Sequence, residues 1–343
     1  MRRPIFIRTA VVTAAAALVL TGCGSGAGTT SSKDPKAAFT TGIDSLNDTD
    51  VLTVTLKLDT TADKLIGFAK ESGDTLDPTV AKDMASGRIV FETKTTNGKK
   101  LSEIKPGDAN QAAGRFAFED NGTTYAELRS RDNALYIRAD VKGLLDLFQK
   151  SKLYANLQAR AGQMPTFVKA FVGGEWVSIN LDVLKALASQ FGGGAAASPN
   201  PAQMQKLVAD LKAVIGKDVA VTRVGTDDQG DHLSLTAQSR QLVNDVLQAA
   251  GAAIPAAGLA LGKFDPTKVP DHALKLDAWV KDGALAKVSL DLVQFAKPGE
   301  AKAGDSLPVV LTFDRAGDDI AKPDKTTPVD LSQLGSLLSS LGA

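Results

Sequence analysis

The sequence predicts an α+β fold built on one large antiparallel sheet, with helices inserted among the strands. Three observations carry that expectation. Roughly ten segments alternate apolar and polar residues with the period of two that a one-faced strand requires. Several of them are separated by Asn97-Gly98, Asn121-Gly122 or Lys281-Asp282-Gly283, residues that tolerate positive φ and favour local hairpins. No Gly-rich strand-to-helix turn is present to open a nucleotide-binding parallel sheet.

Composition narrows the function classes. The 343 residues hold 39 basic and 39 acidic side chains, so the excess positive charge of a general nucleic-acid binder is missing. With 43% hydrophobic and 23% charged residues, the chain is neither disordered nor polytopic. One Cys and 2 His argue against a disulfide framework, a zinc cluster or a haem site. No cofactor and no metal is expected.

The N-terminus reads as an export signal over 1–22. Arg2, Arg3 and Arg8 precede an apolar run of 11 residues, Ala10 to Leu20, and the small residues Thr21 and Gly22 follow. That run is too short to span a hydrocarbon core, which takes about 20 apolar residues. Leu20-Thr21-Gly22-Cys23 matches the bacterial lipobox, which implies a diacylglycerol on the Cys23 thiol and cleavage just before it. A plain signal followed by an incidental cysteine is the competing reading. The position of the only cysteine directly after the apolar run favours the lipobox. Two or more acyl chains anchor durably where one alone is marginal. Gly24 to Ser32 is a flexible Gly/Ser/Thr tether. After residue 22 the chain holds 36 basic and 39 acidic residues, so the lipid, and no basic run, would hold it to the membrane, with the body outside the cell.

The body over 34–343 begins with a helix, capped by Asp34-Pro35 and striped by Phe39, Ile43 and Leu46. A strand follows at 51–59, then two short helices within 62–86, broken at Gly73 and restarted by Asp77-Pro78. Strands are expected at 87–95, 114–120, 123–130 and 134–140. Further strands are expected at 218–224 and 232–238 around a polar turn from Gly225 to Asp231, then at 272–280, 284–295 and 307–314. A strand-then-helix unit recurs at 134–148 and 175–191, with looser copies at 232–247 and 327–341. Duplication and ordinary strand–helix junctions account for it equally well. The stretch 192–201 is the best linker, so the body is either one domain or two halves divided there; 251–263 is Ala/Gly-rich with weak helical character.

No residue set announces a reaction. There is no G-x-S-x-G elbow and no H-E-x-x-H helix. Asp231/His232 and Asp271/His272 would make a metal or proton site if they met; the plainer reading puts each His at a solvated strand start after a turn-forming Asp. Asp227-Asp228 and Asp318-Asp319 lack the alternating spacing of a calcium loop and read as solvated turns. Trp176 and Trp279, placed in strands, would stack on a sugar or headgroup, or more simply anchor packing.

The apolar rows remain: Val54/Leu56, Ile89/Phe91, Phe116/Phe118, Leu135/Ile137, Leu274/Leu276 and Leu290/Leu292. A sheet with one greasy face must cover it with its own helices or with something else. Core burial is one account; a curved sheet with a helical lid around an acyl-chain pocket is the other.

The order of elements resembles the LppX/LprAFG lipoproteins of actinobacteria and, more broadly, the LolA/LolB half-barrel proteins. The resemblance rests on the lipobox and tether, the leading helix, VLTVTLKLD, the broken helix and the hairpin meander. LYIRADVKGLL and EWVSINLDVLKAL resemble the family's strand-turn-helix stretches, and HALKLDAWVKDGALAKVSLDL its penultimate hairpin. It is patchy over roughly 35–315 and contains no catalytic motif. It implies a half-barrel with helices on its concave face and a non-enzymatic carrier of lipid or glycolipid, with the twelve residues above as candidate lining. The mature chain is longer than one such domain; additional strands or a partial repeat after 192–201 would account for that. An anchored interaction or sensory module whose apolar faces are filled by its own side chains is the second reading.

Overall fold

The computed structural model describes residues 33–71, 73–104, 111–183, 201–253, 271–296, 302, 304–330 and 333, without the side chains of 201–208, 211 and 249–253. The export signal, Cys23 and the tether lie outside the described residues, as do 184–200, most of 251–263 and nearly all of 331–341.

Three helices start where an Asp side chain replaces the missing backbone acceptor. In α1 (Pro35–Asp44) Asp34 accepts from Lys36 N at 3.0 Å, and Pro35 removes a donor that would have no partner. The two short helices are α2 (Ala62–Glu71) and α3 (Pro78–Ser86); Asp77 caps the second, accepting from Thr79 N at 2.8 Å. Asp140 does the same for α4 (Val141–Leu147) through Gly143 N. The strands between them are β1 (Val51–Leu58), β2 (Arg88–Thr95), β3 (Ala112–Asp120), β4 (Thr123–Arg131) and β5 (Ala134–Ala139). After α4 come α5 (Ser151–Arg160), α6 (Thr166–Val172) and β6 (Val177–Asn180). Then follow α7 (Pro201–Asp218), β7 (Ala220–Asp227), β8 (Gly230–Gln238) and α8 (Ser239–Ala253). The last strands are β9 (Ala273–Lys281), β10 (Ala284–Asp291), β11 (Pro308–Asp314) and β12 (Thr327–Pro328).

The fold is α+β, and its sheet is open and mostly antiparallel. Its hydrogen-bonded order is β12-β6-β5-β4-β3-β2-β1-β11-β10-β9-β8-β7, with β12 parallel to β6. Asn121-Gly122 and Asp282-Gly283 turn two hairpins with φ of 47°, 80°, 51° and 73°. Asp132-Asn133 makes the same turn without glycine, because short polar side chains tolerate the left-handed region.

Several expectations fail locally. Asn97-Gly98 leads into a longer connection, and β3 starts only at Ala112. The polar turn before β8 shrinks to residues 228–229. The strand expected over 284–295 stops at Asp291, whose carboxylate accepts from Val293 N at 3.0 Å and Leu307 N at 2.8 Å. Captured by that side chain, residues 292–295 coil into a 3-10 turn. Helices α5, α6 and α7 had no counterpart in the sequence reading, and α5 buries no residue that could mark a stripe.

The chain divides into two compact units. The first comprises Met1–Asp50, Lys99–Gly107 and Ala197–Val288; the second comprises Val51–Gly98, Asp108–Ala196 and Ser289–Ala343. In the first, Leu233, Leu235, Leu274 and Ala278 form one buried sheet face, and Phe39 and Leu46 are buried with them. Helix α1 approaches so closely at Gly42 that a Cβ there would lie 3.2 Å from Val280 Cγ2. Lys36 donates to Gly216 O, and Lys212 pairs with Asp44, tying α1 to α7. In the second unit, α2 and α3 pack Leu65 and Ala81 against Leu58, Leu292 and Leu307. Helix α6 packs Phe167 and Ala170 against Val177.

Candidate functional site

The ladder registers of the second unit place the apolar rows side by side. Val54 faces Phe91, which faces Phe116, then Leu128, Ile137 and Val177; on the other flank Val54 faces Phe313. A second row runs Leu56, Ile89, Phe118, Ala126 and Ala139, and a third includes Leu52, Leu135 and Ile179. Because side chains alternate with period two, these rows share one face. Seven strands at about 4.8 Å spacing make it roughly 29 Å wide. Phe91 and Phe116 meet edge to face, with ring centroids 5.0 Å apart. Helix α6 covers one flank through Val177, and α2 with α3 covers the other through Leu58. Between them Leu56, Ile89, Phe91, Phe116, Phe118, Leu135 and Ile137 remain half-buried, whereas Val54 is buried.

The other four candidate lining residues lie elsewhere. Leu274 and Leu276 belong to β9 in the first unit, opposite Ala237 and Leu235. Leu290 is half-buried near the end of β10, and Leu292 sits in the 3-10 turn against the Leu65–Ala81–Leu307 cluster.

The reverse face of the second unit is charged, yet its acids are buried. Glu127 is 3% exposed and accepts from Arg115 at 2.8 Å, Arg129 at 2.9 Å and Arg138 at 3.0 Å. Glu119 accepts from Arg115 at 2.7 Å and Arg88 at 2.9 Å. The guanidinium groups of Arg129 and Arg138 each stand 4.8 Å from the Trp176 ring centre. A continuous ion-pair ladder thus runs from β2 to β5, and Trp176 closes its far end. Burial pushes the Glu119 and Glu127 carboxyls up, but the arginine hydrogen bonds outweigh it and leave both below their ordinary 4.5.

A strap over 315–323 lies on that face. Thr53 Oγ1 donates to Ala316 O at 2.9 Å, Arg131 to Ile320 O at 2.7 Å and Arg129 to Ala321 O at 2.8 Å. Ile320 is 1% exposed. Gly317 is required by space, since a Cβ would collide with Glu92 Oε1 and lie 2.8 Å from Val51 Cγ2. Glu92 is 7% exposed and its Oε1 has no hydrogen-bond partner. Burial, with the charge of Asp318, raises its carboxyl above 4.5 against the pull of Arg115, the Asp318 backbone amide and Lys94.

The two histidines do not meet. His232 faces Trp279 while Gln238 faces Ala273, so His232 and His272 lie about 20 Å apart along the ladder. His232 is the third residue of β8; its Nε2 is 2.9 Å from Asp277 Oδ1, and its ring stacks on Trp279 with centroids 4.4 Å apart. His272 precedes β9; its carbonyl accepts from Ser239 N at 3.0 Å, and its own N–H donates to Ser239 Oγ at 3.3 Å. Trp279 donates to Asp227 at 3.0 Å, and Lys287 stands over its ring. Trp176 lies just before β6 and not within it. Both indoles are engaged by the chain itself. Asp319 pairs with Arg131 at 3.5 Å. Among the described residues, no group of three or more His, Cys, Asp or Glu is placed to hold a metal ion. A cleft of about 420 Å³ in the second unit is bounded by Arg138, Asp140, Tyr154 and Gly173-Gly174, polar walls that offer hydrogen bonds more than acyl-chain surface.

The apolar residues were readable from alternation alone. The charged ladder was not: Arg88, Glu119, Glu127 and Arg138 appear in the sequence only as the polar half of the same alternation. Their pairing depends on register between strands as far apart as 88 and 138.

Solved structures similar to this chain include two mycobacterial lipoproteins. One is the Mycobacterium tuberculosis lipoprotein LppX, at 11% identity and a TM-score of 0.32, covering 83% of this chain and 97% of that one. The other is LprF from Mycobacterium bovis, at 12% identity and 0.34, covering 85% and 98%. At these values neither carries residue correspondences to this chain. No family model and no curated protein matches it. No helix among the described residues is long and apolar enough to cross a membrane.

Proposed function

We propose that this chain is an extracytoplasmic lipoprotein, anchored through Cys23, that holds the acyl chains of a lipid or glycolipid against the apolar face of its second unit without catalysing a reaction. One observation carries the reading: the aligned rows through Phe91, Phe116 and Ile137 are left half-buried, while the acids on the reverse of the same strands, Glu92, Glu119 and Glu127, are buried. A fold that buries those carboxylates and leaves aromatic and aliphatic side chains partly open has apolar surface to offer. Each Å² withdrawn from water by a guest contributes about 25 cal/mol, so a bound chain needs no specific polar contact.

The experiment is native mass spectrometry of the protein purified from its own host. A co-purified mass of lipid size is expected, and Phe116→Asp, which puts a charge among the rows, should lower its occupancy at least fivefold. Delipidated, refolded protein that takes up no acyl chain overturns the proposal, as does undiminished occupancy in Phe116→Asp.

A further inference from the structure

The turn between α4 and α5 is the most exposed apolar feature among the described residues. Phe148 is 68% exposed and Leu153 is 49% exposed. The only other exposed large hydrophobic side chains in the described residues, Met84 and Val224, stand on separate elements. Neither α4 nor α5 buries a residue, so the pair is a surface appendage of the second unit.

Charge accompanies this apolar tip. Residues 141–160 contain Lys142, Lys150, Lys152 and Arg160 against the single acid Asp146, in a body that is slightly acidic after residue 22. Asp146 is occupied by Lys142 at 2.7 Å. That leaves Lys150, Lys152 and Arg160 without an acidic partner among the described residues. The lysines flank Ser151 between Phe148 and Leu153, so cation and hydrocarbon share one turn.

Much of the backbone there is satisfied. Phe148 N donates to Leu144 O at 3.2 Å, Gln149 N to Asp146 O at 2.9 Å and Lys150 N to Leu145 O at 2.6 Å, with Gln149 at φ 56°. Those paired amides can enter a medium of low polarity without being stranded, while Ser151 N and Lys152 N, which start α5 without a side-chain cap, are left to face the polar headgroups. Lysines on long stems keep their ammonium groups at headgroup level while apolar neighbours go deeper.

We infer that the α4–α5 turn is a membrane-docking tip, in which Phe148 and Leu153 enter the interface of an anionic bilayer and Lys150 and Lys152 bind its headgroups. This goes beyond the proposed function: it concerns a different surface, and the two fail separately. Loss of acyl cargo leaves docking intact, and loss of docking leaves cargo intact.

The test uses the full chain with Cys23→Ser, which removes the only cysteine, and Phe148→Cys labelled with an environment-sensitive dye. On vesicles of phosphatidylglycerol the dye should shift to the blue and brighten several-fold, and on phosphatidylcholine alone much less. Lys150→Glu combined with Lys152→Glu should weaken vesicle binding, read at this dye, by about tenfold or more. The same dye at Val224→Cys should not respond. No shift at 148 on anionic vesicles, an equal shift at 224, or indifference to the two charge reversals overturns the inference. So does a shift without vesicles that grows with protein concentration, which would assign the tip to a second copy of the chain.

Discussion

Glu127 collects three guanidinium groups while almost wholly shielded from water. Removing it strips Arg129 and Arg138 of their carboxylate on a partly covered face, while Arg115 keeps Glu119, so Glu127→Ala should cost about 2 kcal/mol in urea unfolding. Glu92, two strands away, is the opposite case, a buried carboxyl with an oxygen that no donor reaches. The pH responses follow with opposite signs. Glu119 and Glu127 are held below 4.5, so their stabilisation is full above that value and is lost as pH falls through the lowered pKa. Glu92 is held above 4.5, so its favourable neutral form prevails in acid and stability falls as pH rises through its window. Glu92→Gln should therefore raise stability at neutral pH, with the gain shrinking towards pH 4.5 in a urea series. A gain that is constant across that series would contradict the assignment. None of these roles was legible one residue at a time, because Arg and Glu in a strand announce only that their side of it is polar.

Whole elements were easier to read where a local rule acts alone. The Asp-Pro starts of α1 and α3 and the Asn121-Gly122 turn need only neighbours in sequence, and each formed as expected. Helix α5 has no apolar stripe turned inward, and the Asp291 turn depends on Leu307, sixteen residues on; both escaped the periodicity argument. The strap over 315–323 has no regular structure and is known only by what it touches. Its tightest point is Gly317, and Gly317→Val should lose about 2 kcal/mol by overpacking against Glu92 and Val51. The damage should be local, seen as faster proteolysis within 315–323 before global unfolding. A variant as resistant as wild type would mean that the strap does not depend on that close approach.

At the scale of the molecule, alternation was enough to define the α+β class and the mostly antiparallel sheet, but not its division into two discontinuous units. Eight of the twelve candidate lining residues gather on one face of the second unit, because β1 to β5 are a meander of neighbours. Leu274 and Leu276 carry the same pattern into the first unit, where Leu274 is buried and Leu276 half-buried opposite Ala237 and Leu235. Period two says that a row is apolar; it does not say what covers the row. The proposed anchor is tested on the entire chain: wild-type protein should fractionate with membranes, and Cys23→Ser should shift most of it to the soluble fraction. Equal retention of both would remove the anchor from the proposal.

The ion-pair ladder behind the sheet has a further consequence. Glu119 and Glu127 knit the second unit from the reverse of the strands, so a substitution at Phe91 or Ile137 leaves every one of those ion pairs in place. Under the proposed function, exchanging either for another apolar shape would retune which guest fits without touching the charged network.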